Sequence, residues 1–351
     1  MRFMMQDSIM AAGAVCTAGS KMLYNFKAPL SATVYEKCLK KGMEFVGFTL
    51  PCEFGADSLF DSLDGLDPAV TALSEGRCDA VLCNDVFGKL RRQAPLNGLI
   101  YMQPAYGTVS RYGLIPAVSS MDQIGVLCRE FKDGLAVLSA ISGYDSFDGT
   151  SLPAITYDYN TGREREGTVG LPGSIFGEIR LADNAIASEI ELKYFELLAP
   201  VFYILACAEI SNNTTRYDGV KFGYRAEDAG NLEELYIKSR SEGFGRDIQL
   251  ASVMGCMVLS HEHYDGLYYK SMQVRRLVKE YYAGLLEKVD AIALPVKLDG
   301  RGKYEQAGLY ALPLLGGFAC VSVPYKNNCL QFVCARGKEN AMFSLAWEGM
   351  Q

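Results

Sequence analysis

The chain has 351 residues, of which 49% are hydrophobic and 21% charged, with a net charge of −7 and a pI near 5.1. These values describe a globular protein with room for one large α/β domain or two smaller ones. They exclude binding driven by a nucleic-acid backbone, which needs clustered cations. The basic runs here are only pairs: Lys40-Lys41, Arg91-Arg92 and Arg275-Arg276.

The opening residues, Met1 to Gln6, are too short and too soon polar for a secretory leader. Residues 32–42 have helical spacing and stop at Gly42, and Met43 to Phe48 reads as a strand. Asp79 to Cys83 is another strand, followed by a loop around Lys89. The pattern predicts a helix over Gln123–Ile141, ended by Gly143, and a strand from Gly167 that stops at Pro172. The longest apolar stretch, Leu197 to Ala208, contains Pro200 and falls short of the roughly 20 residues a membrane span needs. It is expected to be buried core.

The last third is more helical. Asn231 with Glu234 forms a capping-box pattern that leads a helix through about Ser241. Further helices are expected from Asp247 to Tyr264 and from Leu267 to Lys288. Ala291 to Pro295, Cys320 to Pro324 and Leu330 to Cys334 are short apolar runs of the kind buried on both faces of a sheet. Strands alternating with helices predict an α/β fold, and no compositional break marks a linker, so one domain over 1–351 is expected.

Eleven cysteines include no Cys-x-x-Cys pair, and several sit in apolar runs. A reducing, cytoplasmic setting is the expectation. His261-Glu262-His263 has two histidines that diverge on a helix and no evident third ligand, so no metal or cofactor is expected.

One segment carries more information than the rest: Gln103-Pro-Ala-Tyr-Gly-Thr-Val-Ser-Arg-Tyr-Gly-Leu-Ile-Pro-Ala-Val-Ser-Ser-Met-Asp-Gln-Ile-Gly125. It resembles the stretch that follows the nucleophile in amidase-signature enzymes. The likeness is greatest to the A subunit of glutamyl-tRNA(Gln) and aspartyl-tRNA(Asn) amidotransferases. Ala12 to Leu23, Asn212 to Arg225, Ser239 to Gly245 and Tyr264 to Lys270 with Gln273-Val274-Arg275 are similar to other stretches of that family. The resemblance implies a mixed central β-sheet covered by helices on both faces. It also implies a chain shortened before the first strand, ahead of residue 65 and between about Asp183 and Glu191.

The family hydrolyses amides with a serine nucleophile, a bridging serine and an unprotonated lysine, and loop amides hold the oxyanion. An ungapped alignment sets the Asp-Thr-Gly-Gly-Ser-Ile-Arg stretch on Asp85 to Arg91, so the nucleophile's position holds Lys89 and the oxyanion loop is Val86-Phe87-Gly88. The base lysine's position holds Gln6, whose amide cannot take a proton. The bridging serine aligns with Gly65. The arginine that clamps the substrate carboxylate aligns with Leu250, and the recognition aspartate falls at Ala307, two residues from Glu305.

The resemblance therefore implies the scaffold of an amidase without its triad: a non-catalytic binding protein or partner subunit beside a B-like subunit or another protein. Arg216, Tyr217, Asp218, Lys221 and Arg225 are the candidate partner surface. An active amidohydrolase rebuilt around Lys89, Cys83 and Asp85 is the alternative, and a small-molecule sensor is a third class. Lys89 itself is expected to fill space or pair with a carboxylate, Asp85 being four residues away.

Overall fold

The computed structural model describes residues 1–56, 65–153, 157–160, 166–173, 179–298, 300, 302–326 and 328–351. In chain order the elements are β1 Arg2–Gln6, α1 Thr33–Lys40, β2 Glu44–Thr49, α2 Pro68–Ser74, β3 Ala80–Asn84, α3 Lys89–Leu96, β4 Ile100–Gln103 and β5 Ile124–Cys128. Next come α4 Phe131–Ile141, β6 Gly167–Leu171, β7 Ala185–Glu189, α5 Phe195–Thr214, α6 Leu232–Gly243 and α7 Arg246–Leu259. A π-helical turn over Tyr264–Tyr269 then leads into α8 Lys270–Lys288, β8 Ala291–Pro295, α9 Lys303–Gly316, β9 Ala319–Tyr325, β10 Asn328–Cys334 and α10 Glu339–Glu348.

The ten strands form one sheet in the order β2-β1-β3-β5-β4-β9-β10-β8-β6-β7. It is mixed: β1 runs parallel to β2 and β3, β6 runs parallel to β7 and β8, and the pairs from β3 through β5, β4, β9 and β10 to β8 are antiparallel. Side chains alternate between the faces at period two. Ala80 and Leu82 of β3, with Ala291 and Ala293 of β8, join α1, α4 and α10 in one core. Val81 and Cys83 point the other way, with Leu90 and Ala94 of α3. Ile292 and Leu294 pack there with α5, α7, α8 and α9. The expected mixed sheet with helices on both faces is what the chain forms.

The expected helix over Gln123–Ile141 is corrected. Its first part is β5, fully buried and bonded to β3 and β4, and only Phe131–Ile141 is helical. Periodicity cannot separate a short apolar run buried on both faces from a buried helix; the sheet ladder decided it. Lys89 is not in a loop but opens α3. The helix expected from Asp247 stops at Leu259, before the π-helical turn. Asn231 does cap α6 by accepting from Glu234 N at 2.9 Å, whereas the Glu234 carboxylate accepts from Gly230 N at 2.8 Å. The Leu197 stretch lies in α5. That helix is long and apolar enough to cross a membrane, yet most of it is buried against the other helices.

Candidate functional site

Strand β3 ends at Asn84, and the chain turns through Asp85–Gly88 into α3, with Gly88 as the N-cap at φ +74°. Asp85 accepts hydrogen bonds from Leu90 N and Arg91 N, both at 2.9 Å, and so satisfies two otherwise orphaned amides of the helix start. The same carboxylate pairs with Arg91 Nε at 3.0 Å, both side chains being almost fully buried. Arg91 also donates to Tyr310 O at 2.8 Å and to Asp85 O at 2.7 Å. Burial pulls the guanidinium's pKa down, but the charge and hydrogen bond of Asp85, together with Cys320 and Tyr101, outweigh it and the pKa is raised. The first and last residues of the seven-residue stretch thus form a framework that holds the turn.

Lys89, between them, points elsewhere. Its ammonium lies 3.7 Å from Asp67 Oδ2 and donates to Cys52 Sγ at 3.4 Å, with only 8% of its side chain exposed. The expected pairing with Asp85 is corrected: Asp85 is taken by Arg91, and Lys89 is neutralised by Asp67. Asp67 is fixed as the N-cap of α2, accepting from Ala69 N at 2.8 Å, and its own amide donates to Gln93 Oε1 at 2.9 Å. Gln93 Nε2 in turn donates to Gly65 O at 2.9 Å, which ties the Gly65 bend to α3. Leu63 and Asp64, which open the stretch aligned with the bridging serine, lie outside the described residues.

Gln6, at the end of β1, is buried, and its Oε1 accepts from Asn84 N at 2.8 Å. Asn84 passes the chain of bonds on: its Nδ2 donates to Asp122 Oδ1 at 2.8 Å, and its Oδ1 accepts from Gln123 N at 3.1 Å. Burial raises the Asp122 pKa, partly offset by the Asn84 bond. Gln6 therefore acts as a structural acceptor that holds the end of β3.

Val86 and Phe87 are almost fully buried. Phe87 packs edge-on against Phe202 of α5, with ring centroids 5.4 Å apart, and Phe202 packs against Tyr310 of α9 at 6.1 Å. The Tyr310 ring lies so close over Gly88 that a Cβ there would overlap it. The volume over the Val86-Phe87-Gly88 turn is occupied by these rings.

Cys83 is fully buried on β3. Its thiol faces Val81 O at 3.6 Å, and burial pushes its pKa well above the ordinary thiol value. A thiolate nucleophile there is disfavoured. Leu250 is 38% exposed on α7, while Ala307 is buried in α9. The two sit on different helices, and Glu305 caps α9 by accepting from Gly302 N at 2.9 Å.

Of the candidate partner residues, Arg216, Lys221 and Arg225 are exposed. Tyr217 is buried, packed on Phe54 and Phe244, and Asp218 folds back on the amides of Val220 and Lys221 at 2.8 and 2.9 Å. Tyr217 thus holds the loop from within, and Asp218, half-buried, braces its turn. No cluster of three or more His, Cys, Asp or Glu able to hold a metal occurs among the described residues.

Sequence reasoning missed Asp67, Cys52, Phe202 and Tyr310. Only Asp67 left a local signal, since Asp followed by Pro and an apolar run marks a helix start. Of the other three, Cys52 meets Lys89, Phe202 meets Phe87 and Tyr310 meets Gly88, all through tertiary packing.

The profile of the Amidase family matches residues 71–307, and the chain belongs to that family. Its fold agrees with solved amidase-signature structures. It aligns with a peptide amidase from Stenotrophomonas maltophilia at a TM-score of 0.76 and 20% identity, over 99% of this chain and 81% of that one. Within the family it is similar to the A subunit of glutamyl-tRNA(Gln) amidotransferase. It is 36% identical to that protein of Streptococcus gordonii over 324 residues, 83% of this chain and 66% of the relative. The Ligilactobacillus salivarius protein gives the same identity and coverage over 325 residues. The crystal structure of the same amidotransferase chain from Thermotoga maritima superposes with a TM-score of 0.72 at 23% identity, over 99% of this chain and 82% of that one. The chain spans just under two thirds of the length of the first two relatives.

Proposed function

We propose that this chain is an amidase-signature protein without serine amidase chemistry, acting by binding, as a partner in the position that the family's A-type chain takes beside a B-like subunit. The observation that carries the reading is the occupation of the former triad. Lys89, at the serine position, is held in a buried ion pair with Asp67. Gln6, at the base position, accepts a backbone bond from Asn84. The Tyr310 ring covers Gly88. A serine hydrolase needs a nucleophile, a base within reach and donors aimed at an open oxyanion position; each of the three is used here for structure.

The test is ammonia release from glutamine, asparagine and simple amides at high protein concentration, with Lys89→Ala as control. No release above that control is expected. Turnover lost in Lys89→Ala would overturn the reading. For the partner role, co-elution with an amidotransferase B-type subunit in size-exclusion chromatography is expected; a chain that elutes only as a monomer in its presence defeats it.

One observation favours a second reading, an amidohydrolase with a rebuilt nucleophile. Lys89 Nζ lies 3.4 Å from the sulfur of Cys52, which is partly exposed, unlike Cys83. A neighbouring ammonium favours the thiolate. Labelling by a nitrile or other electrophilic amide analogue, abolished by Cys52→Ala but not by Cys83→Ala, distinguishes this reading from the first.

A further inference from the structure

A cleft of about 1000 Å³ opens among the loops of residues 10–27, 114–116 and 212–223, and none of Gln6, Gly65, Asp85 to Lys89, Leu250 or Ala307 lines it. Its floor is apolar. Met22, Leu23 and Ile115 are buried core residues, and Met10 and Phe26 flank them. The wall formed by the third loop includes Tyr217, backed by Phe54 at 5.5 Å, and Phe222, whose ring is 61% exposed. The loop's shape follows from its glycines. Gly219, at φ +72°, and Gly223, at φ +87°, leave no space for a Cβ, the first against Ser239 and the second against Met22.

The polar part of the lining has one sign. Lys27, Arg216 and Lys221 are exposed at the cleft, and among the described residues no aspartate or glutamate lines it. Among the described residues neither Lys27 nor Lys221 joins an ion pair. Arg216 donates to Asn213 O at 2.9 Å and to Asn213 Oδ1 at 3.2 Å, which fixes its stem beside the opening. Asp218, the nearest carboxylate along the chain, is turned into its own loop, as described above. In a chain of net charge −7 this is a local reversal of field above an apolar floor.

We propose that the cleft binds a small organic acid that joins an anionic head to an apolar body, such as an acyl or aryl carboxylate. The volume lies at the upper end of the roughly 300–1000 Å³ typical of small-molecule sites. The apolar floor supplies burial for the body, and the three cations supply charge-assisted hydrogen bonds to the head. The proposal does not rest on the state of the triad positions, which contribute nothing to the cleft, although Arg216, Tyr217 and Lys221 belong both to the cleft and to the candidate partner surface.

Isothermal titration calorimetry of the full chain with decanoate and 2-naphthoate tests it, with decanol and decyltrimethylammonium as neutral and cationic counterparts. Both carboxylates are expected to bind below the micelle-forming range. Decanol and the cation should bind at least about tenfold more weakly than decanoate, the scale of one lost charge-assisted bond. The Lys27→Glu/Lys221→Glu double variant changes only exposed side chains, and its fold is checked by circular dichroism. It should weaken decanoate by a similar factor or more, and Phe222→Ser should weaken both acids. Absence of heat with either acid, equal binding of the three decyl amphiphiles, or undiminished decanoate binding by the folded double variant would overturn the proposal.

Discussion

Lys89 shows how a buried lysine is given a counter-charge. Burial disfavours an ammonium unless a counter-charge is held in place, and Asp67 is held by its cap on α2 and by Gln93. A half-buried carboxylate, Glu53, ties three loops together: Ser20 Oγ donates to it at 2.5 Å and Gly245 N at 2.8 Å. Burial raises its pKa above the ordinary glutamate value, with the Ser20 bond pulling the other way. A carboxyl with a raised folded-state pKa is protonated in the folded chain at pH values where the unfolded chain has already lost the proton. Its contribution to stability therefore falls as pH rises from the ordinary value near 4.5 through the folded one. Glu53→Gln removes the titration and keeps an acceptor oxygen for Gly245 N, with the amide nitrogen left to donate to Ser20 Oγ. The variant is expected to match the wild type below pH 4.5 and to gain in relative melting temperature as pH rises. Parallel melting temperatures across that range would show that Glu53 does not titrate in this way.

At the scale of elements, α3 and α9 meet at Gly88 and Tyr310, and the contact tolerates no Cβ. Gly88→Ala adds both the strain of a left-handed backbone and an overlap with the ring, and is expected to destabilise by at least about 2 kcal/mol. Tyr310→Ala removes the ring but leaves its Cβ 2.6 Å from the added methyl. In that background the glycine substitution should lose the part of its cost due to the ring and keep the backbone strain and the Cβ contact. Urea unfolding of both single variants and the double variant gives the coupling; additive effects would mean that the ring does not rest on Gly88 in solution. Helix α7 shows a related economy: Gly255 lets it approach α5 at Cys207 and Ser211, while Leu250, Val253 and Met257 line its exposed side.

For the whole molecule, a single ten-stranded sheet carries core packing on both faces, and its strands come from both halves of the chain. The only tryptophan, Trp347, sits in α10 against Phe131 of α4 with ring centroids 5.5 Å apart, on the face opposite α5 and α7. If the sheet couples its two faces, Trp347 fluorescence and far-ultraviolet circular dichroism will report the same urea midpoint. Separate midpoints would mean that the chain unfolds as two units and that the single-domain reading fails.

The sequence by itself determined the family and the mixed α/β class, because the family's motifs are read position by position. It also marked the caps at Asn231 and Gly42, where one or two neighbours set the backbone. It failed at Ile124–Cys128, where an apolar run continuous with a helix became a central strand, since only pairing with β3 and β4 separates the two outcomes. It also misassigned the partner of Lys89. Asp85 is nearer along the chain, but the geometry of a helix start turns its carboxylate toward the amides of residues 90 and 91 and leaves Lys89 to Asp67. Only the tertiary structure decided that the turn at Gly88 lies under Tyr310, more than two hundred residues away in sequence. Such contacts depend on how α3, α5 and α9 pack over the sheet, a global property that no local pattern encodes.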